Sequence, residues 1–126
     1  LKLDTTKKPT SFKDVPQNHY ASGAVNSLLK KGIIDSSTYL YPSKIMTRGE
    51  MATLLVKAFG YTKIDTDIYF FDVLEKNSLQ QDIYKLVTAG IVNGYTDGTF
   101  KPNKCICIIV NHIRKRSTIN SACKTV

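Results

Sequence analysis

A chain of 126 residues and 14.1 kDa has room for one ordinary domain, or for two or three small repeats that share a core. With 42% hydrophobic and 22% charged residues it is not a disordered chain, and no apolar run approaches the roughly 20 residues that span a bilayer. Its net charge of +8 suits an anionic partner, whether polysaccharide, nucleic acid or lipid headgroup, without choosing among them.

The charge is unevenly spread. Residues 1–104 hold all ten acids and fourteen of the eighteen bases. The other four bases, Arg114, Lys115, Arg116 and Lys124, lie in the last 22 residues, and so do all three cysteines, Cys105, Cys107 and Cys123. A body without cysteine is compatible with an exported protein.

In chain order, residues 1–11 form a polar extension without the apolar core of a signal peptide, and the start at Leu1 reads as a mature or excised fragment. A repeat then organises the chain. Phe12-Lys13-Asp14-Val15 returns 58 residues later as Phe70-Phe71-Asp72-Val73. At the same offset Leu28 meets Leu86, Gly32-Ile33 meets Gly90-Ile91, and Thr38 meets Thr96. After a two-residue insertion Pro42 and Lys44 meet Pro102 and Lys104.

The first unit spans 12–60. Tyr20, Ala21, Ala24, Val25, Leu28 and Leu29 recur at three- and four-residue steps, which predicts a helix with one apolar face, ended by Gly32. Asp35-Ser36-Ser37-Thr38 follows as a loop. Thr47-Arg48-Gly49-Glu50 then has the T-x-x-E form of a capping box. It predicts a second helix with Met51, Leu54, Leu55, Ala58 and Phe59 as its buried stripe and Gly60 as its stop. Residues 61–69 are an extended linker. The partial second unit, 70–104, repeats the first helix with Leu79, Ile83, Leu86 and Val87, stopped by Gly90. A loop follows, in which Asp97-Gly98 supplies a tight turn. The predicted fold class is mainly α, in tandem helix–loop–helix units.

In order and spacing these segments resemble the S-layer homology repeat. The resemblance runs through FKDVPQNHYA, KKGII and LYPSKIMTRGEMATLL, then FFDV and TAGIVNGYTDGTFKPNK, and covers residues 12–104. It implies repeats that come in threes and fold into a pseudo-threefold helical assembly, here incomplete. It also implies non-covalent anchoring of a bacterial surface protein to an anionic, often pyruvylated, secondary cell-wall polysaccharide or other peptidoglycan-linked polymer, bound in grooves between repeats. The implied location is extracellular, at the cell wall or S-layer, with no membrane insertion, no nucleic acid and no cofactor, and with association to further repeats of the same kind.

The family's important arginine falls on Arg48. At the first turn of a helix, free backbone N–H groups and the macrodipole suit a carboxylate or phosphate, and a guanidinium can grip a carboxylate with two hydrogen bonds. Thr47, Gly49 and Glu50 form the cap around it. Asp14, with its counterpart Asp72, can hydrogen-bond sugar hydroxyls or position the chain before each helix. Tyr20 can stack on a sugar face or pack in the core, and its counterpart is Ser78. Asp97 and Gly98 make a turn, with a place in a ligand groove as the alternative.

The pattern breaks after Lys104, where Cys107, Ile108 and Val110 stand opposite Thr47, Arg48 and Glu50. Residues 105–126 read as a divergent or frame-shifted tail. Three rival readings follow: a degenerate fragment without binding activity, a basic nucleic-acid-binding module, and a metal site on Cys105, Cys107, His112 and Cys123. No helix carries a basic stripe, and the cysteine spacing fits no common zinc arrangement. Arg114-Lys115-Arg116 reads as a solvated basic tail, with heparin-like or lipid binding as the alternative. With two histidines and no phosphate loop or nucleophile–base pair, the chain reads as a binding module and not an enzyme.

Overall fold

The computed structural model describes residues 2–106, and the tail positions Cys107, His112, Arg114, Lys115, Arg116 and Cys123 lie outside them. The described residues form three helices, α1 (Ser22–Lys30), α2 (Arg48–Phe59) and α3 (Gln80–Thr88), joined by long turns. No strand forms among them; a single antiparallel bridge joins Thr47 to Cys105. None of these helices is long and apolar enough to cross a membrane.

The predicted stops are where the sequence puts them. Gly32 and Gly90 are left-handed, with φ of 65° and 70°. At α1, Gly32 N–H reaches Leu29 O and Ile33 N–H reaches Leu28 O; at α3, Gly90 reaches Val87 and Ile91 reaches Leu86. Both are Schellman closures, in which paired backward bonds satisfy the last carbonyls of a helix. Gly60 caps α2 at φ 72°.

Two hydrophobic clusters result, and they do not divide as the repeats do. Phe12, Val15 and Val25 form a small one within the first unit. The larger one joins Ala52 and Val56 of α2 to Phe70, Val73, Ile83, Leu86 and Phe100 of the second unit. The second helix of unit one is therefore completed by unit two. This corrects the predicted stripe in part: Leu55 packs against the cluster as expected, but the buried line of α2 is Gly49, Ala52 and Val56, while Phe59 is 55% exposed. Gly49 is packed tightly at the start of α3, against the Leu79 side chain. A Cβ on Gly49 would lie 2.5 Å from Leu79 Cδ1.

Asp14 and Asp72 do the same work in both units. The Asp14 carboxylate accepts from the amides of Leu40 (2.9 Å) and Tyr41 (2.7 Å), and Asp72 accepts from Phe100 (2.8 Å) and Lys101 (2.7 Å). Among the described residues, Tyr41 and Lys101 are the two non-glycine residues at positive φ, 55° and 58°. Such backbone costs energy for a residue with a side chain and persists where neighbours hold it. Each aspartate clasps the amide at the strained position and the one before it. Desolvation raises the Asp14 pKa, but the Leu40 and Tyr41 amides outweigh it and hold the carboxyl below its ordinary value.

The segment before each Phe-x-Asp-Val also lies on the helix that follows. Asn26 donates to Lys8 O and Pro9 O, and Ser27 Oγ to Asp4 O at 2.6 Å. In the second unit Asp65 N–H reaches Thr88 Oγ1, and Phe70 N–H reaches Tyr84 Oη. Replacing Asp72 by Ala leaves two loop amides without acceptors and should cost about 2 kcal/mol in urea unfolding. The further change Lys101→Gly should recover part of that loss, because glycine accepts positive φ without strain.

Candidate functional site

The junction between the units is organised by the first turn of α2. Thr47 and Glu50 form the predicted capping box, with Thr47 Oγ1 accepting from Glu50 N–H at 3.2 Å and Glu50 Oε2 accepting from Thr47 N–H at 2.9 Å. The Thr47 amide, then Lys44 at 3.0 Å, hold the Glu50 carboxyl below its usual value. The other first-turn amides are not free, which corrects the expectation of open N–H groups. Arg48 N–H donates to Lys104 O (2.9 Å) and Gly49 N–H to Pro102 O (2.8 Å), while Ile106 N–H reaches Met46 O (2.8 Å). The 102–106 segment of unit two docks on these donors, and any anion at this helix end must be met by side chains.

Arg48 supplies the first. Its Nε donates to Phe100 O at 2.9 Å and its Nη2 to Asn93 O at 3.0 Å. The guanidinium lies over two rings, 4.4 Å from the Phe100 centroid and 5.1 Å from that of Tyr95. One edge of the fork is spent on the protein, and Nη1 has no hydrogen-bond partner among the described residues. The carbonyls and rings fix the direction of a side chain that is otherwise rich in rotamers.

Two more cations converge on the same ring. Lys101 Nζ stands 4.5 Å and Lys104 Nζ 4.9 Å from the Tyr95 centroid. The Tyr95 phenol is held below its ordinary pKa, first by hydrogen bonding with Lys104, which outweighs an opposing desolvation, and further by the charges of Arg48, Lys104 and Lys101. Three positive side chains around one half-buried ring make a groove that attracts anions and offers one aromatic edge.

The sequence-predicted residues are placed differently from one another. Asp97 sits at the rim of this groove, 3.2 Å from Lys101 Nζ, and accepts from the amide and hydroxyl of Thr99. The Thr99 hydroxyl and amide, more than Lys101, keep its carboxyl ionised below the usual range. Gly98, at φ 81°, lets the turn pass under Phe71, whose ring leaves no room for a Cβ. Asp14 is absorbed in its clasp within unit one, whereas its counterpart Asp72 steadies Phe100, whose carbonyl holds Arg48. Tyr20 precedes α1 instead of lying on its apolar face, because turns closed by Ser22 Oγ on Gln17 O and by His19 N–H on Pro16 O delay the helix start. It is 83% exposed, with its ring 4.5 Å from that of His19.

Tyr95, Lys101, Lys104, Asn93 and Phe100 were not singled out from the sequence. The signal was present, since the Gly-Tyr loop and its following lysines belong to the unit after Arg48. Cys105 is half-buried with a free thiol, and no cluster of three or more His, Cys, Asp or Glu among the described residues could hold a metal.

Fold and groove together define a tandem-repeat helical module in which an arginine on one unit is seated in the loop of the next. The S-layer homology domain matches residues 11–52 and 76–106, and the chain belongs to that family. Among curated relatives, it is 28% identical over 124 residues to a cellulosome-anchoring protein of Acetivibrio thermocellus, covering 89% of this chain and 28% of that protein. It is 27% identical over 130 residues to cell surface glycoprotein 1 of the same species, covering 90% of this chain and 6% of that protein. An uncharacterised cell wall amidase of Bacillus anthracis is 36% identical over 107 residues, covering 82% and 20%. The chain thus spans less than a third of the length of these relatives.

Ultraviolet titration, read as the difference between the protein and its Tyr95→Phe variant, should show Tyr95 ionising at lower pH than a free phenol. Lys104→Ala should move that transition upward more than Lys101→Ala does.

Proposed function

We propose that the chain is a non-catalytic anchor that holds a bacterial surface protein on an anionic secondary cell-wall polysaccharide, through the groove of Arg48, Tyr95, Lys101 and Lys104. The observation that carries this reading is the convergence of three cations on the Tyr95 ring at the junction of two S-layer homology units. The rim ion pair with Asp97 leaves the groove net positive. A carboxylate-bearing sugar, such as a pyruvylated one, offers the charge for Arg48 Nη1 and the lysines. The names of the relatives, an anchoring protein and a cell surface glycoprotein, agree with such a role and with a place at the cell wall.

A basic nucleic-acid module is disfavoured by the same geometry. Its phosphate contacts would be spread along a helix or strand face, whereas here the clustered cations lie at one loop and are partly committed to ring and carbonyl.

The test is co-sedimentation of the purified chain with cell-wall sacculi that retain their polymer, compared with sacculi stripped of it. Retention should require the polymer, fall by about tenfold or more in Arg48→Ala, and weaken steeply with salt, since exposed charges are screened beyond about 8 Å at physiological ionic strength. Equal retention on both kinds of sacculi would sink the proposal.

A further inference from the structure

Asn93 alone among the asparagines of the chain precedes a glycine, and the pair lies in the loop of unit two, outside the helices. An asparagine side chain is open to attack by the next backbone nitrogen where that nitrogen is unhindered and the side chain is free to swing. Both conditions hold here. The Asn93 side chain is exposed, and neither it nor the Gly94 N–H makes a hydrogen bond among the described residues. Elsewhere the side chains are held: Asn26 donates to Lys8 O and Pro9 O, and Asn77 accepts from the Leu79 amide. The fold also retains the glycine, because a Cβ at position 94 would run into the Phe70 ring. No side chain can therefore shield that nitrogen.

The surroundings favour the attack. Gly94 N must first lose its proton, and the resulting anion is shared with Asn93 O of the same peptide unit. That oxygen accepts from Arg48 Nη2 at 3.0 Å. A guanidinium on the oxygen stabilises the anionic form, as a positive neighbour does for any group that ionises to an anion. Lys101 and Lys104, gathered with Arg48 around Tyr95, add to the positive field.

We infer that Asn93-Gly94 is a site of spontaneous deamidation, and that its product places a carboxylate within the cationic junction. Gly94 N forms a bond to Asn93 Cγ while the bond from Cγ to the side-chain nitrogen breaks, and that nitrogen leaves as ammonia with the proton from Gly94. Water then opens the cyclic imide at either carbonyl, giving aspartate or isoaspartate with the chain uncut. The new carboxylate stands on the residue whose carbonyl already holds Arg48, beside a guanidinium with Nη1 unpartnered among the described residues. A charge-changing modification at such a place neutralises part of the cluster. The chemistry is independent of the anchoring reading; only its effect on polymer retention rests on that reading.

The test is to age the full chain in neutral buffer and follow its peptides by mass spectrometry, with isoaspartyl methyltransferase labelling. Asn93 should convert ahead of Asn18, Asn26, Asn77 and Asn103, in native buffer as well as in urea. Cation-exchange chromatography should resolve an early-eluting species that is lost in Asn93→Gln. In Asn93→Asp, the ultraviolet transition of Tyr95 should move to higher pH, because an added negative charge opposes ionisation of the phenol. An Asn93 that outlasts the other asparagines, or converts only in urea, would overturn the site. A Tyr95 transition unmoved in Asn93→Asp would overturn its effect on the junction. Polymer retention should fall in Asn93→Asp; a chain that never retains polymer, aged or fresh, would sink the anchoring reading and leave both other readouts standing.

Discussion

The packing of α2 on α3 is the contact on which the rest depends. A helix whose sequence belongs to the first unit buries Ala52 and Val56 against Ile83, Leu86 and Phe100 of the second. Within its own unit the remaining cluster of Phe12, Val15 and Val25 is small. Neither unit has a sufficient core alone, as is general for repeats that stack to bury a shared face. The same docking brings the first-turn amides of α2 to Pro102 and Lys104, and swings Arg48 under the loop of unit two. Stability and the cationic cluster arise from one interface, so a change that loosens it disturbs both.

Duplication has kept the local physics and changed the surface. The aspartate clasp, the left-handed residue it steadies and the Schellman closure occur in both units. The loop positions that face outward differ. Aligned through the clasp, Asn93, Tyr95 and Lys101 of unit two stand opposite Asp35, Ser37 and Tyr41 of unit one, and Asp97-Gly98 is an insertion with no equivalent. The first loop thus has an acid and no ring where the second has an amide and Tyr95. The cationic groove is a property of the second loop with the first unit's arginine, and the first loop pairs its acid with Lys57 instead.

What could be read in the sequence follows from how far each determinant reaches. The capping box and the glycine stops are decided within five residues, and Thr47, Glu50, Gly32, Gly60 and Gly90 adopt the expected geometry. The apolar spacing of α2 identified a helix without revealing which neighbour it would meet. Leu55 does pack against the core, but Leu54 and Phe59 look like members of the same stripe until α3 approaches the side with Gly49, Ala52 and Val56. Arg48 was found through the resemblance, but its seat was not, because its partners lie 45 and 52 residues away. The open amides expected at that helix end were filled for the same reason, by a segment more than fifty residues downstream.

The saturated helix end changes the chemistry of the groove. A free first turn would offer an anion several backbone donors and a fixed partial charge. Here those donors hold the second unit in place, and the positive charge left at this helix end is carried by side chains. Arg48 offsets part of the disadvantage, since its orientation is set before a ligand arrives by two carbonyls and two rings. Ordering a long side chain on binding costs about 0.5–1.5 kcal/mol; a pre-seated arginine avoids most of that. Lys101 and Lys104 are more mobile point charges that add attraction without fixing direction. The junction therefore couples one pre-seated cation to two on longer, more flexible stems around a single ring.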